Sequence, residues 1–137
     1  MADLDQGGNP IQGSNVYLGP SLGWVKQQVK PERYVIVTGT TQLVAGDSVV
    51  LVNVAAVVTI GLPDVAAWVQ QFATQPMTAF ERAIWVKDLG GNAAAFNITI
   101  TPFGVQTIDG LASVVMNQNR AITRLYPLID LSGWFSG

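Results

Sequence analysis

Residues 83–110 have the sequence AIWVKDLGGNAAAFNITITPFGVQTIDG, and this stretch decides the predicted fold. Residues 84–88 and 97–101 are rich in β-branched and aromatic side chains that alternate sides, which is typical of half-buried strands. Residues 89–92 (LGGN) lie between them, and Gly and Asn tolerate the positive φ angles of tight turns. We therefore predict a β-hairpin whose two strands are joined by a Gly-Gly-Asn turn.

Short β-strands are predicted along the rest of the chain from residue 34 onward. They fall at residues 34–38, 48–53, 57–62, 105–108, 113–117, 121–128 and 131–135, with turn residues between them. Residues 48–53 are apolar on both faces, so we expect this strand between two layers. Ile122, Arg124 and Tyr126 share one face of a strand near the C-terminus. This pattern predicts an all-β domain, a compact antiparallel β-sandwich or barrel of the jelly-roll kind.

One short helix is predicted at residues 64–72. Asp64 is a suitable N-cap residue. The apolar side chains that follow recur at helical spacing: Val65, Trp68, Val69 and Phe72. Residues 78–81 (TAFE) resemble a capping box, but the strand pattern that begins at Ile84 leaves room only for a loop or a single turn.

Residues 1–33 are predicted to form an extended N-terminal arm, and residues 34–137 the β-sandwich domain. The first 15 residues hold three glycines, a proline and hardly any large apolar side chain. Apolar anchors spaced along such a segment favour an arm that becomes ordered on a neighbouring protein. A disordered tail and an edge strand of the same domain are the alternatives. The candidate partner-binding residues of the arm are Tyr17, Leu18, Leu22, Trp24 and Val25.

The composition favours burial of surface between subunits. Of the 137 residues, 49% are apolar and 12% are charged, and the charged share is about half that of an average soluble protein. Such a chain has apolar surface beyond the needs of its core, which other subunits would bury. A small, well-packed monomer is the alternative. The net charge is −2 and no basic cluster occurs, so we expect no nucleic-acid partner.

The residue types that most catalytic and metal sites need are missing. The chain has no Cys and no His, which excludes disulfides, thiolate nucleophiles and imidazole bases. A hydrolase could use two carboxylates alone, and the candidates are Asp47, Asp64, Glu81, Asp88, Asp109 and Asp130. Four of them stand beside Gly or Pro or next to a glycine pair, as turn and cap residues do. A Ca²⁺ site at Asp88 and Asn92 is an alternative, but the dense oxygen pattern of a calcium loop is missing. We expect no enzyme activity, no cofactor and no metal.

No membrane segment is expected. The longest apolar run, residues 49–62, is too short for a membrane span and contains Asn53 and Thr59. The N-terminal residues MADLDQ are acidic and polar, unlike a signal peptide. We expect the protein to stay where it is made until it is assembled into a larger structure.

The four tryptophans divide between core and surface predictions. Trp68 lies on the apolar side of the predicted helix and Trp85 in a strand, so both are predicted core residues. Trp24 and Trp134 lie near the chain ends, where burial in a subunit contact is expected in preference to sugar binding. The last strand should be tied to the body of the domain. The candidate oligomer-interface residues are Tyr126, Trp134 and Phe135.

Residues 57–126 resemble a module common in structural proteins of tailed bacteriophages. The matching motifs are TIGLP at residues 59–63, VKDLGGNAAAFNITITP at residues 86–102 and QTIDG at residues 106–110, with a final strand that begins at Ala121. Similar modules occur in tail fibres, tail spikes and capsid-associated proteins, many of them trimeric, and no catalytic residues accompany them. The resemblance therefore implies a homotrimeric virion protein without enzyme activity.

The first functional hypothesis is a capsid decoration or cement protein on the outer surface of a phage head. The resemblance implies that it is made in the host cytoplasm and that its partner is the major capsid protein of the same virion. Many copies that bridge capsid subunits would stabilise the head through avidity. The alternative is a short tail-fibre, tail-spike or head-fibre module that binds a glycan of the host surface, and a carboxylate-based hydrolase is a third.

Overall fold

Two β-sheets packed face to face form the body of the protein. The computed structural model describes residues 33–72 and 82–137, together with the backbone of residues 15–17 and 24–26. The strands are β1 Asn15–Tyr17, β2 Trp24–Lys26, β3 Tyr34–Val37, β4 Thr41–Gln42, β5 Val49–Val52, β6 Val58–Gly61, β7 Ile84–Asp88, β8 Ile98–Thr101, β9 Thr107–Ile108, β10 Val114–Met116, β11 Ile122–Pro127 and β12 Gly133–Ser136. Within these described residues there is one α-helix, α1 (Val65–Gln70). The prediction of an all-β, sandwich-like fold with one short helix is confirmed.

The chain alternates between the two sheets. The strand order is β3-β5-β7-β11-β12-β9 in the six-stranded sheet and β10-β8-β6-β4 in the four-stranded sheet. From β3 to β8 every strand crosses to the other sheet, so strands two apart in the chain become parallel neighbours. β10, β11 and β12 add antiparallel pairs, β9 runs parallel to β12, and β1 pairs with β2 as a separate two-stranded sheet. The sheets are therefore mixed and not antiparallel as expected, because these connections pass across the core instead of turning back within one sheet.

The core lies between the inward faces of the two sheets. Its fully buried members include Val50 and Val86 from the six-stranded sheet and Ile60 and Ile100 from the four-stranded sheet. Burial of each such side chain contributes about 1.5–3 kcal/mol. β5, expected to be apolar on two buried faces, instead alternates between buried and half-buried residues, because its outward face has no layer above it among the described residues.

Helix α1 begins at its predicted N-cap. The Asp64 carboxylate accepts a hydrogen bond from the Ala66 N–H at 3.0 Å, which satisfies a backbone donor in the first turn. Trp68 packs edge-on against Phe72, with the ring centroids 5.5 Å apart, and its indole N–H donates to the Arg82 carbonyl at 2.7 Å. The apolar side of the helix is therefore part of the core, as predicted. The loop or turn predicted at residues 78–81 lies outside the described residues.

The Gly-Gly-Asn turn does not close a hairpin. β7 belongs to the six-stranded sheet and β8 to the four-stranded sheet, and residues 89–97 carry the chain from one to the other. Gly91 has φ 74°, so the predicted need for a turn glycine is met. The Phe96 N–H then donates to the Asn92 carbonyl at 2.8 Å, which adds a helical turn to the corner. The hairpin prediction is wrong because a local turn signal does not determine which sheet receives the next strand.

A glycine allows β9 to join the edge of the six-stranded sheet. Gly133 stands opposite Thr107 in the β12–β9 pair. A Cβ atom at Gly133 would lie 2.0 Å from the Thr107 carbonyl oxygen, far inside van der Waals contact. This approach therefore requires a residue without a side chain. The pairing of β12 with β9 and β11 ties the last strand to the body, as predicted.

Candidate interaction surface

The outer face of the six-stranded sheet is largely apolar. Paired residues of neighbouring strands point to the same side of a sheet, so the register assigns eleven side chains to this face. They are Tyr34, Ile36, Val49, Leu51, Trp85, Lys87, Thr107, Ile122, Arg124, Tyr126 and Phe135. All except Lys87, Thr107 and Arg124 are apolar or aromatic. We call this surface the outer apolar face.

Several of these apolar side chains are well exposed. Tyr34 is 69% exposed, Ile36 64%, Trp85 41% and Ile122 39%. Soluble monomers rarely expose contiguous apolar patches larger than a few hundred Å². The outer apolar face is therefore a candidate surface for contact with another protein.

One row of side chains gives the outer apolar face a recess. The row runs across four strands in the order Tyr34, Val49, Trp85 and Arg124. The short Val49 side chain lies between two large aromatic ones, and neighbouring strands are about 4.8 Å apart. Tyr34 and Trp85 therefore border a shallow trough above Val49, and the backbones of their strands are about 10 Å apart.

Both charged side chains of the outer apolar face are cationic. The Arg124 guanidinium lies 5.1 Å from the centroid of the Trp85 ring, a cation–π contact. The Lys87 ammonium donates a hydrogen bond to the Arg120 carbonyl oxygen. Among the described residues no acidic side chain shares this face, so these residues give it a positive charge, although the net charge of the chain is −2.

The outer face of the four-stranded sheet has a different character. Its outward side chains are Gln42, Thr59, Thr99, Thr101 and Val115. Val115 is 51% exposed, whereas the other four are polar, and the Gln42 amide donates a hydrogen bond to the Leu62 carbonyl at 2.9 Å. The contrast between the two sheets assigns the apolar contact surface to the six-stranded one.

Two of the three predicted interface residues, Tyr126 and Phe135, are on the outward side of their strands, but Tyr126 is buried, with only 9% of its surface exposed. The rings of Tyr126 and Phe135 stack with centroids 5.0 Å apart and planes at 29°. Trp134 points the other way: it is completely buried, and its ring lies 6.1 Å from Trp68. Trp134 is therefore a core residue with no surface to offer a neighbouring subunit. Trp85, which was expected in the core, is instead exposed on the outer apolar face.

The predicted arm residues cannot be placed at this surface. Tyr17, Trp24 and Val25 belong to β1 and β2, of which only the backbone is described. Leu18 and Leu22 lie outside the described residues. The geometry of the candidate site therefore rests on the two-sheet body alone.

The described carboxylates accept hydrogen bonds within the fold. Asp64 caps α1 and Asp47 accepts from the Val44 N–H of its own turn, as predicted, and Asp47 also binds the Arg33 guanidinium. Asp109 accepts from the Ser136 N–H, 27 positions further along the chain, and Asp130 from the Ser132 N–H. Glu81 lies outside the described residues.

Asp88 is the buried carboxylate at the corner after β7. Its Oδ1 accepts from the N–H groups of Gly91 and Asn92 at 3.0 and 3.3 Å, and its Oδ2 from those of Ala93 and Arg120 at 3.0 Å each. Burial raises the pKa of this carboxyl, but the four backbone donors outweigh that effect and the pKa is lowered overall. Because both oxygens are fully used, the alternative of a Ca²⁺ site at Asp88 and Asn92 has no support in this geometry.

A metal site and a membrane-spanning helix are two further features that the described part of the chain does not contain. Among residues 33–72 and 82–137, no three carboxylates come together in a way that could hold a metal ion. No helix of the described chain is long and apolar enough to cross a membrane. The chain matches no protein-family model, and no curated protein matches it. The outer apolar face therefore remains the surface from which a function can be argued.

Sequence reasoning missed three prominent residues of the outer apolar face: Tyr34, Ile36 and Trp85. Alternation placed Trp85 correctly in a strand but could not say which side of that strand faces the core. The cross-strand register supplies that information, because Trp85 stands opposite Arg124, which shares a strand side with Ile122. The sequence did place Ile122, Arg124 and Tyr126 on one side of a strand. Because Arg is rarely fully buried, that side could have been assigned to the surface.

Proposed function

We propose that this protein is a structural subunit of a bacteriophage virion, a capsid decoration or cement protein that assembles with copies of itself and bridges capsid subunits. The observation that carries the proposal is the outer apolar face, in which eight of eleven outward side chains are apolar or aromatic. An assembly subunit needs such a surface, and it needs no catalytic group.

The apolar face supports assembly on energetic grounds. Each exposed apolar side chain that another protein covers contributes about 25 cal/mol per Å² of area removed from water. Trp85, Tyr34 and Ile36 are large and more than one third exposed, so they have most to gain from such cover. Aromatic residues and Arg are also the residue types that dominate binding energy at protein interfaces.

The phage assignment is supported by the motifs at residues 59–63, 86–102 and 106–110, which resemble those of virion modules. The proposed mechanism is mechanical. Each copy makes weak contacts with its neighbours and with the major capsid protein, and many copies on one head raise the barrier to rupture through avidity. The arm of residues 1–33 is the proposed bridge to the capsid, and the protein acts on the outer surface of the head.

The test is mass by light scattering, followed by co-sedimentation with phage heads that lack the protein. The proposal predicts an oligomer that sediments with the heads. Trp85→Ser should lower the oligomeric mass, whereas Val115→Ser, a matched change on the outer face of the four-stranded sheet, should not. A protein that does not sediment with the heads at any concentration would contradict the capsid role.

A second candidate is a fibre or spike module that binds a host-surface glycan. Tyr34 and Trp85 favour it, because both are exposed and lie in one row across a flat sheet, where sugar rings can stack on aromatic side chains. This candidate predicts binding on a glycan array that Trp85→Ala abolishes while the oligomeric mass is unchanged. No glycan binding, together with sedimentation on heads, would eliminate it.

A further inference from the structure

A second apolar surface lies at one end of the sheet, where two loops meet. Loop 102–106 precedes β9 and loop 128–132 precedes β12, and these strands are parallel neighbours. The two loops therefore emerge side by side, joined by the hydrogen bond from the Thr107 N–H to the Ser132 carbonyl at 3.3 Å. We call this surface the loop end.

The loop end presents apolar side chains to solvent. Ile129 is 100% exposed and Val105 99%, with Phe103 at 47% and Leu131 at 42%. The loops are internally hydrogen-bonded, for example from the Gln106 N–H to the Phe103 carbonyl and from the Leu131 N–H to the Leu128 carbonyl, each at 3.0 Å. The backbone of these loops is therefore already ordered, which lowers the entropy cost of binding a partner.

The charge of the loop end is opposite to that of the outer apolar face. Asp130 is the one charged residue of the two loops. Its carboxylate accepts from the Ser132 N–H at 3.0 Å and from the Ser132 hydroxyl at 2.7 Å, and these hydrogen bonds lower its pKa and keep it ionised. As far as the described residues show, the outer apolar face carries Lys87 and Arg124 and no acidic side chain.

We propose that copies of this chain associate head to tail, with the loop end of one copy seated on the outer apolar face of the next. Ile129 and Val105 would fill the trough between Tyr34 and Trp85, and Asp130 would face Arg124. This inference rests on the proposed self-assembly and specifies its geometry.

Charge complementarity selects this contact over symmetric ones. A face-to-face dimer would bring Lys87 and Arg124 of two copies together, and an end-to-end dimer would oppose two Asp130 carboxylates, so both arrangements set like charges against each other. A heterologous contact pairs opposite charges, and it produces a ring if the rotation between copies closes. A heterologous contact uses two different surfaces of each copy, so a ring, in which every copy makes two contacts, is the expected form.

The experiment measures mass by light scattering or sedimentation velocity for two charge-reversed variants. Arg124→Glu alters the face and Asp130→Lys alters the loop end, and each alone should lower the mass toward that of a monomer. An equimolar mixture of the two should associate, because the face of each variant then meets an oppositely charged loop end on the other. The double variant should regain the wild-type mass, because its two reversed charges match each other within a ring of any size.

Three controls separate the contact from folding effects. Asp130→Asn keeps the oxygen that Ser132 binds and removes the charge, so it should weaken assembly without lowering the melting temperature. Ile129→Ser changes a fully exposed side chain and should weaken assembly as well. Val115→Glu, on the outer face of the four-stranded sheet, should leave the mass unchanged.

Several results would overturn the head-to-tail contact: a monomeric wild type up to high concentration, a mixture of variants that stays monomeric, or an equal loss of mass with Val115→Glu. These failures differ from failure of the proposed function. A monomer that still sediments with phage heads leaves the capsid role standing and removes this contact. A charge-dependent oligomer that does not sediment with phage heads supports this contact and contradicts the capsid role.

Discussion

Asp88 shows how a single residue organises a corner that the local sequence only partly predicts. Its carboxylate collects donors from the three residues 91–93 and from Arg120, which lies 32 positions further along the chain. The sequence identifies Asp88 as a turn aspartate because a glycine pair follows closely. The contact with Arg120 could not be foreseen, because it depends on the pairing of β7 with β11.

Removal of this carboxylate should destabilise the protein strongly. Asp88→Ala leaves four backbone N–H groups without their acceptor, and we expect the free energy of unfolding to fall by about 2–4 kcal/mol, since each unsatisfied buried donor costs about 1–3 kcal/mol and water reaches some of them. Asp88→Asn should lose a similar amount, because its NH₂ group would face N–H donors. Urea unfolding measures both. The exposed Asp130→Asn is the control, with a change below about 0.5 kcal/mol, and an Asp88→Ala variant as stable as this control would refute the role of Asp88.

The same carboxylate should make stability dependent on pH at the acidic end. The pKa of Asp88 is lower in the folded state than in the unfolded chain, so the stability it provides is complete above the unfolded value of about 3.9. As the pH falls through that value, the unfolded state takes up a proton before the folded state does, and stability is lost. Urea unfolding from pH 6 to pH 3 should show a decline that is smaller in Asp88→Asn. Parallel curves for the two proteins would contradict this assignment.

Two tryptophans show where residue-scale prediction fails. Trp85 was expected in the core and is exposed, while Trp134 was expected at a subunit contact and is buried. Both lie in strands, and alternation divides a strand into two sides without naming the buried one. Asp64 was easier to predict, because N-capping depends on neighbours only two or three residues away.

At the scale of elements, β9 and α1 are fixed together by reciprocal hydrogen bonds. Gln106, which immediately precedes β9, donates from its side-chain NH₂ to Asp64 at 2.8 Å, and its side-chain oxygen accepts from the Val65 N–H at 3.1 Å. The first turn of α1 is thereby linked to the edge strand of the six-stranded sheet. The sequence predicted both elements but not their link, which spans about forty residues.

The close pairing of β9 with β12 gives a prediction at this scale. Gly133→Ala should separate the two strands, because the new Cβ would overlap the Thr107 backbone. We expect a loss of several kcal/mol in the free energy of unfolding, comparable with other buried steric clashes. Hydrogen exchange should show early loss of protection at Thr107 and Asp109, whose N–H groups donate to Ser132 and Trp134. Gly104→Ala, where a Cβ meets nothing within 4 Å, is the control; its positive φ adds only modest strain. An equal loss in both variants would contradict the steric explanation.

The corner after β7 defines the limit of element prediction. Turn chemistry at residues 89–92 correctly placed a change of direction between two strands. The partner of each strand is determined by residues far away in sequence. Val52 in β5, for example, lies opposite Asp88 in β7. Parallel pairing of this kind leaves no local pattern, and for that reason an antiparallel hairpin was expected.

At the scale of the whole molecule, the unequal outer faces of the two sheets are the main functional observation. The four-stranded sheet turns threonines to solvent, and the six-stranded sheet turns aromatic and aliphatic side chains outward with two cations. The surplus of apolar residues in the composition predicted that such a surface exists. Its location required the strand register, and its partner is a proposal based on charge and on the phage-like motifs.

Deletion of residues 1–32 separates self-assembly from capsid binding, and Arg33 is kept because its guanidinium binds Asp47 in the two-sheet body. The proposal predicts that the remaining chain folds, retains its oligomeric mass and no longer sediments with phage heads, because its contact surfaces lie in the two-sheet body while the arm is the proposed bridge. Circular dichroism, light scattering and co-sedimentation check the three parts in turn. A truncated protein that still decorates heads would show that the bridge lies elsewhere.

The most direct test of the central claim is the light-scattering mass of the wild-type protein beside that of Trp85→Ser, with Val115→Ser as the control on the opposite sheet. An oligomer for the wild type and the Val115 variant, with a lower mass for the Trp85 variant, is the predicted result. A wild-type monomer, or equal masses for all three proteins, would show that the outer apolar face is not an assembly surface.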